Sequence, residues 1–171
     1  SLADLVKNTL DTDNQIQSAC NSFVDAKGSM FLGRGSSFPI ALEGALKLKE
    51  LAYIHAEGYP AGEMKHGPLA LIEDGMPVVV IAPRDYYYNK TISNMQEVIA
   101  RGAKVLLITN KSTDEIFSEN IWQKIEVENT DDDLLPFLIT IPLQKLAYHS
   151  ALKKGYDIDK PRNLAKSVTV E

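Results

Sequence analysis

The chain has 171 residues, 44% of them hydrophobic, which is enough for one domain with a substantial core. Its 18 basic against 23 acidic residues give a formal charge of −5 without a basic run, which argues against a nucleic-acid-binding surface. The single cysteine, Cys20, excludes an internal disulfide and favours a reducing compartment. We expect Cys20 to be a small buried apolar residue.

No apolar run approaches the roughly 18 residues needed to span a bilayer. The start, Ser1-Leu2-Ala3-Asp4, does not have the pattern of a signal peptide. We therefore expect a cytoplasmic protein that does not associate with membranes. Because the first residue is not Met, we also expect a longer parent chain.

Apolar spacing and the positions of Gly, Pro and Asn divide the chain into alternating helices and strands. In chain order, the predicted elements are a helix over 2–27 with a break near 11–13, a strand over 29–32, a helix over 39–54, a strand over 77–82, a helix over 91–101, a strand over 104–109, an edge strand over 123–128 and a helix over 132–154. This alternation predicts an α/β fold, a three-layer α-β-α sandwich with a mostly parallel sheet. We expect a single domain over 1–155 and an irregular tail over 156–171.

Ligands of such sheets bind beyond the carboxyl ends of the strands, so two loops draw attention, 33–38 and 55–71. In the first, Gly33-Arg34-Gly35 followed by Ser36 and Ser37 fits either an anion-binding loop or a tight turn with a helix cap. The turn and cap explain the same residues, and we favour them. The spacing does not match the dinucleotide-binding pattern.

The helix that follows carries Glu43, Lys47 and Glu50 at spacings of four and three, which places them on one face. Two interpretations fit this face. It is either a solvated surface with an ordinary ion pair or the site of a general base, Glu50, beside an ammonium group.

Three histidines occur, and they call for different interpretations. His66 lies in a Gly- and Pro-containing loop that suits a positioned acid or base. His55 and His149 lie in apolar helical stretches, where a structural role is expected. Because the histidines have no ligand spacing and there is one cysteine, no metal site is expected. Lys166, close to the end of the tail, is an ordinary solvated lysine unless the tail folds into a pocket, where its amine becomes a nucleophile.

Four segments together resemble one family. They are Phe31–Gly35, Ala41–Leu51, Ala61–Leu71 and Pro161–Glu171. The chain is similar to the C-terminal SIS domain of the glutamine–fructose-6-phosphate aminotransferases (isomerizing), also called glucosamine-6-phosphate synthases. The resemblance covers most of the chain, and its ending is the most specific part.

The resemblance implies an activity and a set of site residues. Fructose 6-phosphate and ammonia from glutamine are converted to glucosamine 6-phosphate, on the way to UDP-N-acetylglucosamine, without a cofactor. Glu50 would move a proton between C1 and C2 of the sugar, and His66 would open the sugar ring in the site of a neighbouring subunit of a homodimer. Lys166 would form a Schiff base with the ketose, and the backbone of Ala165 would contact the sugar. Glu43 and Lys47 would support Glu50.

The resemblance also implies what this chain lacks. It has no N-terminal cysteine nucleophile for glutamine hydrolysis and no Ser-x-Ser-Gly-x-Thr phosphate loop, which the family's first SIS domain provides. We therefore expect the chain to need the glutaminase domain and the first SIS domain as partners and to be inactive alone. The alternative is a non-catalytic module that binds sugar phosphates as a sensor or acts as a dimerisation domain.

Overall fold

The computed structural model describes residues 1–112 and 121–162, which build a five-stranded sheet with helices on both faces. The helices are α1 (Leu2–Leu10), α2 (Asp13–Ala19), α3 (Asn21–Val24), α4 (Ser37–Ala52), α5 (Tyr88–Ile99) and α6 (Leu135–Lys153). The strands are β1 (Ser29–Gly33), β2 (Ala56–Pro60), β3 (Pro77–Ile81), β4 (Lys104–Asn110) and β5 (Ile121–Val127). Two short 3-10 helices, Ala61–His66 and Pro68–Leu71, follow β2. The expected α/β sandwich is confirmed.

The strand order is β2-β1-β3-β4-β5, and every neighbouring pair is parallel. From β1 the chain passes through α4 to β2 on one side, and β3 then pairs with β1 on the other side. Since all strands point the same way, their carboxyl ends share one edge of the sheet and their amino ends share the other. These two edges determine where each candidate residue lies.

The sheet separates two apolar cores, because successive side chains of a strand point to opposite faces. Phe31 and Val79 pack in the core beneath α4 and α6, to which α2 and α3 also contribute. Leu32 and Val80 pack in the second core, beneath α5 and the 3-10 helices. Both faces of β1 and β3 are covered, which explains their continuous apolar runs. Among the described residues, no helix has the length and apolarity required to cross a bilayer.

Strand β2 corrects the expectation of one long loop over 55–71. Its sequence, Ala-Glu-Gly-Tyr-Pro, lacks the β-branched residues on which strand prediction depends, and β1 is its strand neighbour. A Cβ atom at Gly58 would lie 3.0 Å from the Leu42 Cα atom, so the absence of a side chain lets α4 lie directly against this strand.

The predicted helix ends are met in part. The break near 11–13 separates α1 from α2, and α6 gives way to Gly155 in a left-handed conformation, as expected. The expected serine cap is wrong. Ser36 holds the N-cap position of α4 without a capping hydrogen bond from its side chain, and Ser37 lies inside the helix, buried. A second break at Cys20, between α2 and α3, was not predicted.

Candidate active site

The face of α4 that carries Glu43, Lys47 and Glu50 forms a charged cluster in the structure. The Lys47 ammonium donates a hydrogen bond of 2.7 Å to Glu50 Oε2 and lies 3.7 Å from Glu43 Oε1. The three side chains are about a third exposed: 38% for Glu43, 30% for Lys47 and 27% for Glu50. Lys47 is therefore bonded closely to Glu50 and only loosely to Glu43.

Electrostatics in this cluster act most clearly on Lys47. The hydrogen bond to the Glu50 carboxylate raises the pKa of the Lys47 ammonium above its ordinary value, and the charge of Glu43 adds to this rise against the opposing effect of burial. The ammonium therefore stays charged beside Glu50 at all physiological pH values.

An apolar groove of about 460 Å³ adjoins the cluster, between α4 and α6. It is lined by Lys47, Leu51, Gln144, Lys145 and Tyr148. The groove is open to solvent on the same surface as the Lys47–Glu50 ion pair. Glu50 thus lies at a surface that another molecule or domain can cover.

His66 lies elsewhere, at the end of the first 3-10 helix. Its side chain is 74% exposed, and its Nε2 atom is 3.8 Å from Glu63 Oε2. The neighbouring Lys65 forms a 3.0 Å ion pair with Glu97 of α5, which attaches the 3-10 helix to the domain. His66 is therefore held on an anchored segment with its imidazole directed outward.

Glu50 and His66 lie at opposite edges of the sheet. Helix α4 begins after the carboxyl end of β1, and its 16 residues extend over about 24 Å towards the amino edge, where Glu50 lies in the last turn. His66 follows the carboxyl end of β2. One chain therefore does not bring these two residues together, although the sequence marks both.

The other two histidines differ from each other. His149 of α6 is the structural residue that was expected: its side chain is 11% exposed, and its Nε2 atom lies 2.7 Å from Asp13 Oδ1. The prediction for His55 is wrong, because this residue lies between α4 and β2 and its side chain is 70% exposed. The expectation of a helix over 39–54 extended the apolar stretch too far, since α4 ends at Ala52.

Cys20 is buried, as predicted.

Sequence reasoning missed a polar array formed by β2 and the residue before it. His55, Glu57 and Tyr59 alternate along one face, where the Tyr59 hydroxyl donates a hydrogen bond to Glu57 and His55 Nε2 lies 3.5 Å from Glu57 Oε1. The hydrogen bond to Glu57 raises the pKa of the Tyr59 hydroxyl. The spacing of two between these polar residues is typical of a strand, so it could have predicted both the array and β2.

The loop over 33–38 has a structural role. A Cβ atom at Gly33 would overlap the backbone at Ser37, and one at Gly62 would overlap the Arg34 guanidinium. Arg34 Nε also donates a 3.1 Å hydrogen bond to Asn94 Oδ1 of α5. Arg34 thus connects this turn to the segment that carries His66, in accord with the favoured interpretation of a turn.

Ala165 and Lys166 lie outside the described residues. The described chain approaches them as far as Arg162, whose backbone N–H donates a 2.7 Å hydrogen bond to the Tyr53 hydroxyl. Tyr53 follows α4 directly and is three residues beyond Glu50. Arg162, at the end of the described part of the tail, is therefore held at the end of α4 that bears Glu50.

Comparison with known proteins identifies relatives over almost the whole chain. Residues 22–154 match the SIS domain family. Glutamine–fructose-6-phosphate aminotransferases (isomerizing) of Bartonella henselae and Aquifex aeolicus are each 52% identical to the chain over 98% of its length. The chain spans only 28% of the length of either relative.

A solved structure with the same fold is the C-terminal domain of glucosamine-fructose-6-phosphate aminotransferase from Francisella tularensis. It superposes with a TM-score of 0.88 at 46% identity, over 93% of this chain and 44% of that chain.

Proposed function

This chain belongs to the SIS domain family, and we propose that it is the C-terminal isomerase domain of a glutamine–fructose-6-phosphate aminotransferase. Such an enzyme converts fructose 6-phosphate and ammonia from glutamine to glucosamine 6-phosphate, a step towards UDP-N-acetylglucosamine. The main support is the 52% identity to relatives of that name over 98% of the chain. The single, buried cysteine fits the cytoplasm, which we propose as its compartment.

In this proposal Glu50 moves the proton between C1 and C2 of the open-chain sugar. The observation that carries this role is the 2.7 Å hydrogen bond from Lys47, which restrains the carboxylate and balances its charge. A general base needs such a fixed position within hydrogen-bond reach of both carbons. Glu43 Oε1 lies 3.7 Å from Lys47 Nζ. In the proposal, Glu43 does not act on the sugar but restrains the ammonium that holds Glu50.

Lys166 is the proposed Schiff-base lysine, and the backbone of Ala165 is a proposed contact of the sugar. Support comes from Arg162, whose backbone N–H is hydrogen-bonded to the hydroxyl of Tyr53, three residues after Glu50 in the chain. Four residues of extended chain span at most about 14 Å, which is the upper limit on the distance between Lys166 and Arg162. In the proposal, the Lys166 amine attacks the ketone carbon of a sugar bound at Glu50.

His66 is proposed to open the sugar ring in the site of a second subunit. Its 74% exposure and its position at the sheet edge opposite Glu50 support this division, because an outward imidazole is available to a neighbouring molecule. The proposal requires a homodimer in which each active site takes Glu50 from one chain and His66 from the other.

In the proposal, the phosphate is bound and ammonia is supplied by parts of the enzyme that lie outside the 28% of the relatives' length that this chain matches. The isolated chain is therefore expected to show no isomerisation of fructose 6-phosphate to glucose 6-phosphate. A coupled dehydrogenase assay with the purified chain tests this. Turnover by the isolated chain at ordinary substrate concentrations would contradict the proposed dependence on those other parts of the enzyme.

The decisive experiment uses a full-length chimera, in which this chain replaces the matching part of the Aquifex aeolicus relative. The chimera is incubated with fructose 6-phosphate, reduced with borohydride and mapped by peptide mass spectrometry. A reduced sugar adduct on Lys166 is expected, since borohydride reduces a Schiff base to a stable amine. Lys166→Arg is the matched control, because it keeps the positive charge but cannot form the adduct.

Each outcome decides between catalysis and binding alone. An adduct on Lys166 that disappears in Lys166→Arg supports the aminotransferase role. Binding of fructose 6-phosphate without an adduct, in a chimera that does not turn over, overturns that role and favours a non-catalytic sugar-phosphate-binding module.

A further inference from the structure

Tyr53, the residue after α4, has a backbone conformation that aromatic residues rarely adopt. Its φ and ψ angles are 54° and 35°, in the left-handed region where helices usually place glycine. It is the only residue other than glycine with a positive φ in the described parts of the chain. A strained conformation of this kind persists only where surrounding contacts compensate for it.

Those contacts lead to the beginning of the C-terminal segment. The Tyr53 hydroxyl accepts the hydrogen bond from the Arg162 N–H group, and the Arg162 guanidinium lies 4.5 Å from the centre of the Tyr53 ring. The same guanidinium lies 5.5 Å from the ring of Tyr156, which meets Tyr53 edge to face at 4.8 Å. Tyr156 in turn packs on the core beneath α4 and α6. Arg162, itself exposed, is thus held by two rings anchored in the domain.

We propose that Tyr53 and Tyr156 form an aromatic clamp that holds Arg162, the point from which the chain continues towards Lys166, at the end of α4 that bears Glu50. The inference rests on the proposed function, because its value to the enzyme is to hold Lys166 close to the sugar. Tyr53 and Tyr156 are positioning residues, since they act through Lys166 and not on the substrate. Glycine would suit this backbone conformation, but it has neither a ring nor a hydroxyl to offer Arg162.

The clamp should affect turnover more than substrate binding. A tethered nucleophile reacts faster when its freedom is restricted to productive positions, and misplacement by about 1 Å can cost on the order of 100-fold. In the proposed function, the phosphate group of the substrate is bound outside the part of the enzyme that this chain matches. Loss of the clamp is therefore expected to lower kcat and leave KM for fructose 6-phosphate nearly unchanged.

Variants of the full-length chimera separate the parts of the clamp. Tyr53→Phe removes the hydroxyl and keeps the ring, Tyr53→Gly removes both and relieves the backbone strain, and Tyr156→Leu removes the second ring. The control is Tyr86→Phe, which changes a tyrosine that is 84% exposed and follows the carboxyl end of β3, at the other edge of the sheet. Steady-state kcat and KM, the rate of adduct formation on Lys166 and the melting temperature are measured for each.

The expected result is a kcat at least about tenfold lower in Tyr53→Gly and Tyr156→Leu, a smaller loss in Tyr53→Phe and no change in Tyr86→Phe. KM should stay within about threefold, and adduct formation should slow in parallel with kcat. Unchanged kcat in Tyr53→Gly and Tyr156→Leu overturns the inference. A loss of kcat that only follows a fall in melting temperature overturns it as well, and Tyr53→Phe, which keeps the packing, makes that distinction.

Failure of the clamp can be told apart from failure of the proposed function. If Lys166→Arg abolishes the adduct and turnover while Tyr53→Gly keeps both, the clamp alone is wrong. If Lys166→Arg turns over normally, the proposed role of Lys166 falls, and the inference falls with it.

Discussion

Glu43 and Glu50 carry the same carboxyl group on the same helix, but they relate differently to Lys47. Glu50 accepts a hydrogen bond of 2.7 Å, whereas Glu43 lies at 3.7 Å and is more exposed. A difference of 1 Å separates a charge-assisted hydrogen bond from a weak surface ion pair. The two residues are therefore a matched pair for testing the proposed general base.

Glu50→Gln in the full-length chimera is expected to reduce turnover about 10²- to 10⁴-fold, because the amide cannot accept a proton from the sugar. Glu43→Gln should change turnover by no more than a few-fold. The Lys166 adduct should still form in Glu50→Gln, since Schiff-base formation precedes the proton transfer. Equal losses in the two variants would contradict a special role for Glu50.

The raised pKa of Lys47 gives a stability effect at high pH. A group whose pKa is higher in the folded state stabilises the fold fully below its ordinary pKa of 10.5 and loses this contribution as the pH rises through the folded value. Lys47→Met is therefore expected to unfold more easily than the wild type at pH 7 and to lose less stability between pH 10 and 12. Urea titrations across this pH range measure the free energy of unfolding of both proteins. The same decrease between pH 10 and 12 in both would contradict the proposed contribution of Lys47.

At the scale of elements, α4 and β2 depend on one close approach. A Cβ atom at Gly58 would lie 2.9 to 3.0 Å from atoms of Leu42, two of them in the backbone, whereas one at Gly28 would lie 3.5 Å from its nearest neighbour. We expect Gly58→Ala to lower the free energy of unfolding by about 1–3 kcal/mol through overpacking. Gly28→Ala is the matched control and should be nearly neutral. Urea unfolding of both variants checks this, and equal stabilities would refute the argument.

Helix α2 is attached to α6 through Asp13. Its Oδ1 atom is 2.6 Å from Lys145 Nζ and 2.7 Å from His149 Nε2. The hydrogen bond from Lys145, helped by His149 and opposed by burial, holds the pKa of Asp13 far below its ordinary 3.8. Asp13 therefore stabilises the fold fully above pH 3.8, and this contribution is lost as the pH falls towards the folded value.

Asp13→Asn is expected to lower the free energy of unfolding by roughly 1–2 kcal/mol at pH 7. This range allows for the partial exposure of the carboxylate, which weakens its ion pairs. The difference from the wild type should shrink on acidification below pH 3.8. Thermal unfolding between pH 2 and 7 measures this, with Asp25→Asn, at an exposed position, as the control. A difference that does not depend on pH would show that Asp13 acts by packing and not by charge.

At the scale of the whole molecule, the separation of Glu50 and His66 predicts that active sites are shared between chains. Mixing the chimera variants Glu50→Gln and His66→Asn, each nearly inactive alone, should restore activity. After random exchange of subunits in a dimer, about a quarter of the sites hold an intact pair. Each of the two variants is also mixed with Lys166→Arg. Recovery of activity with only one of them shows whether Lys166 comes from the chain that supplies Glu50 or from the chain that supplies His66. No recovery after complete exchange would place both residues in the site of a single chain.

The sequence alone determined the α/β class, the three inner strands β1, β3 and β4, and the cluster on α4. Each of these depends on local periodicity: buried strands are apolar on both faces, and residues three and four apart on a helix share a face. The identity of His149 as a structural residue also followed from its apolar surroundings. The charged spacing of Glu43, Lys47 and Glu50 predicted their contact but not which carboxylate Lys47 prefers.

Only the tertiary structure decided what depends on residues far apart in the chain. Strand β2 is held by pairing with β1 and by contact with α4, and its own sequence shows little of this. The strained Tyr53 is stabilised by Tyr156 and Arg162, about a hundred residues away in the sequence. The placement of Glu50 and His66 at opposite edges follows from the direction of α4 against a parallel sheet, because a crossing helix carries its last residues back to the edge where the strands begin.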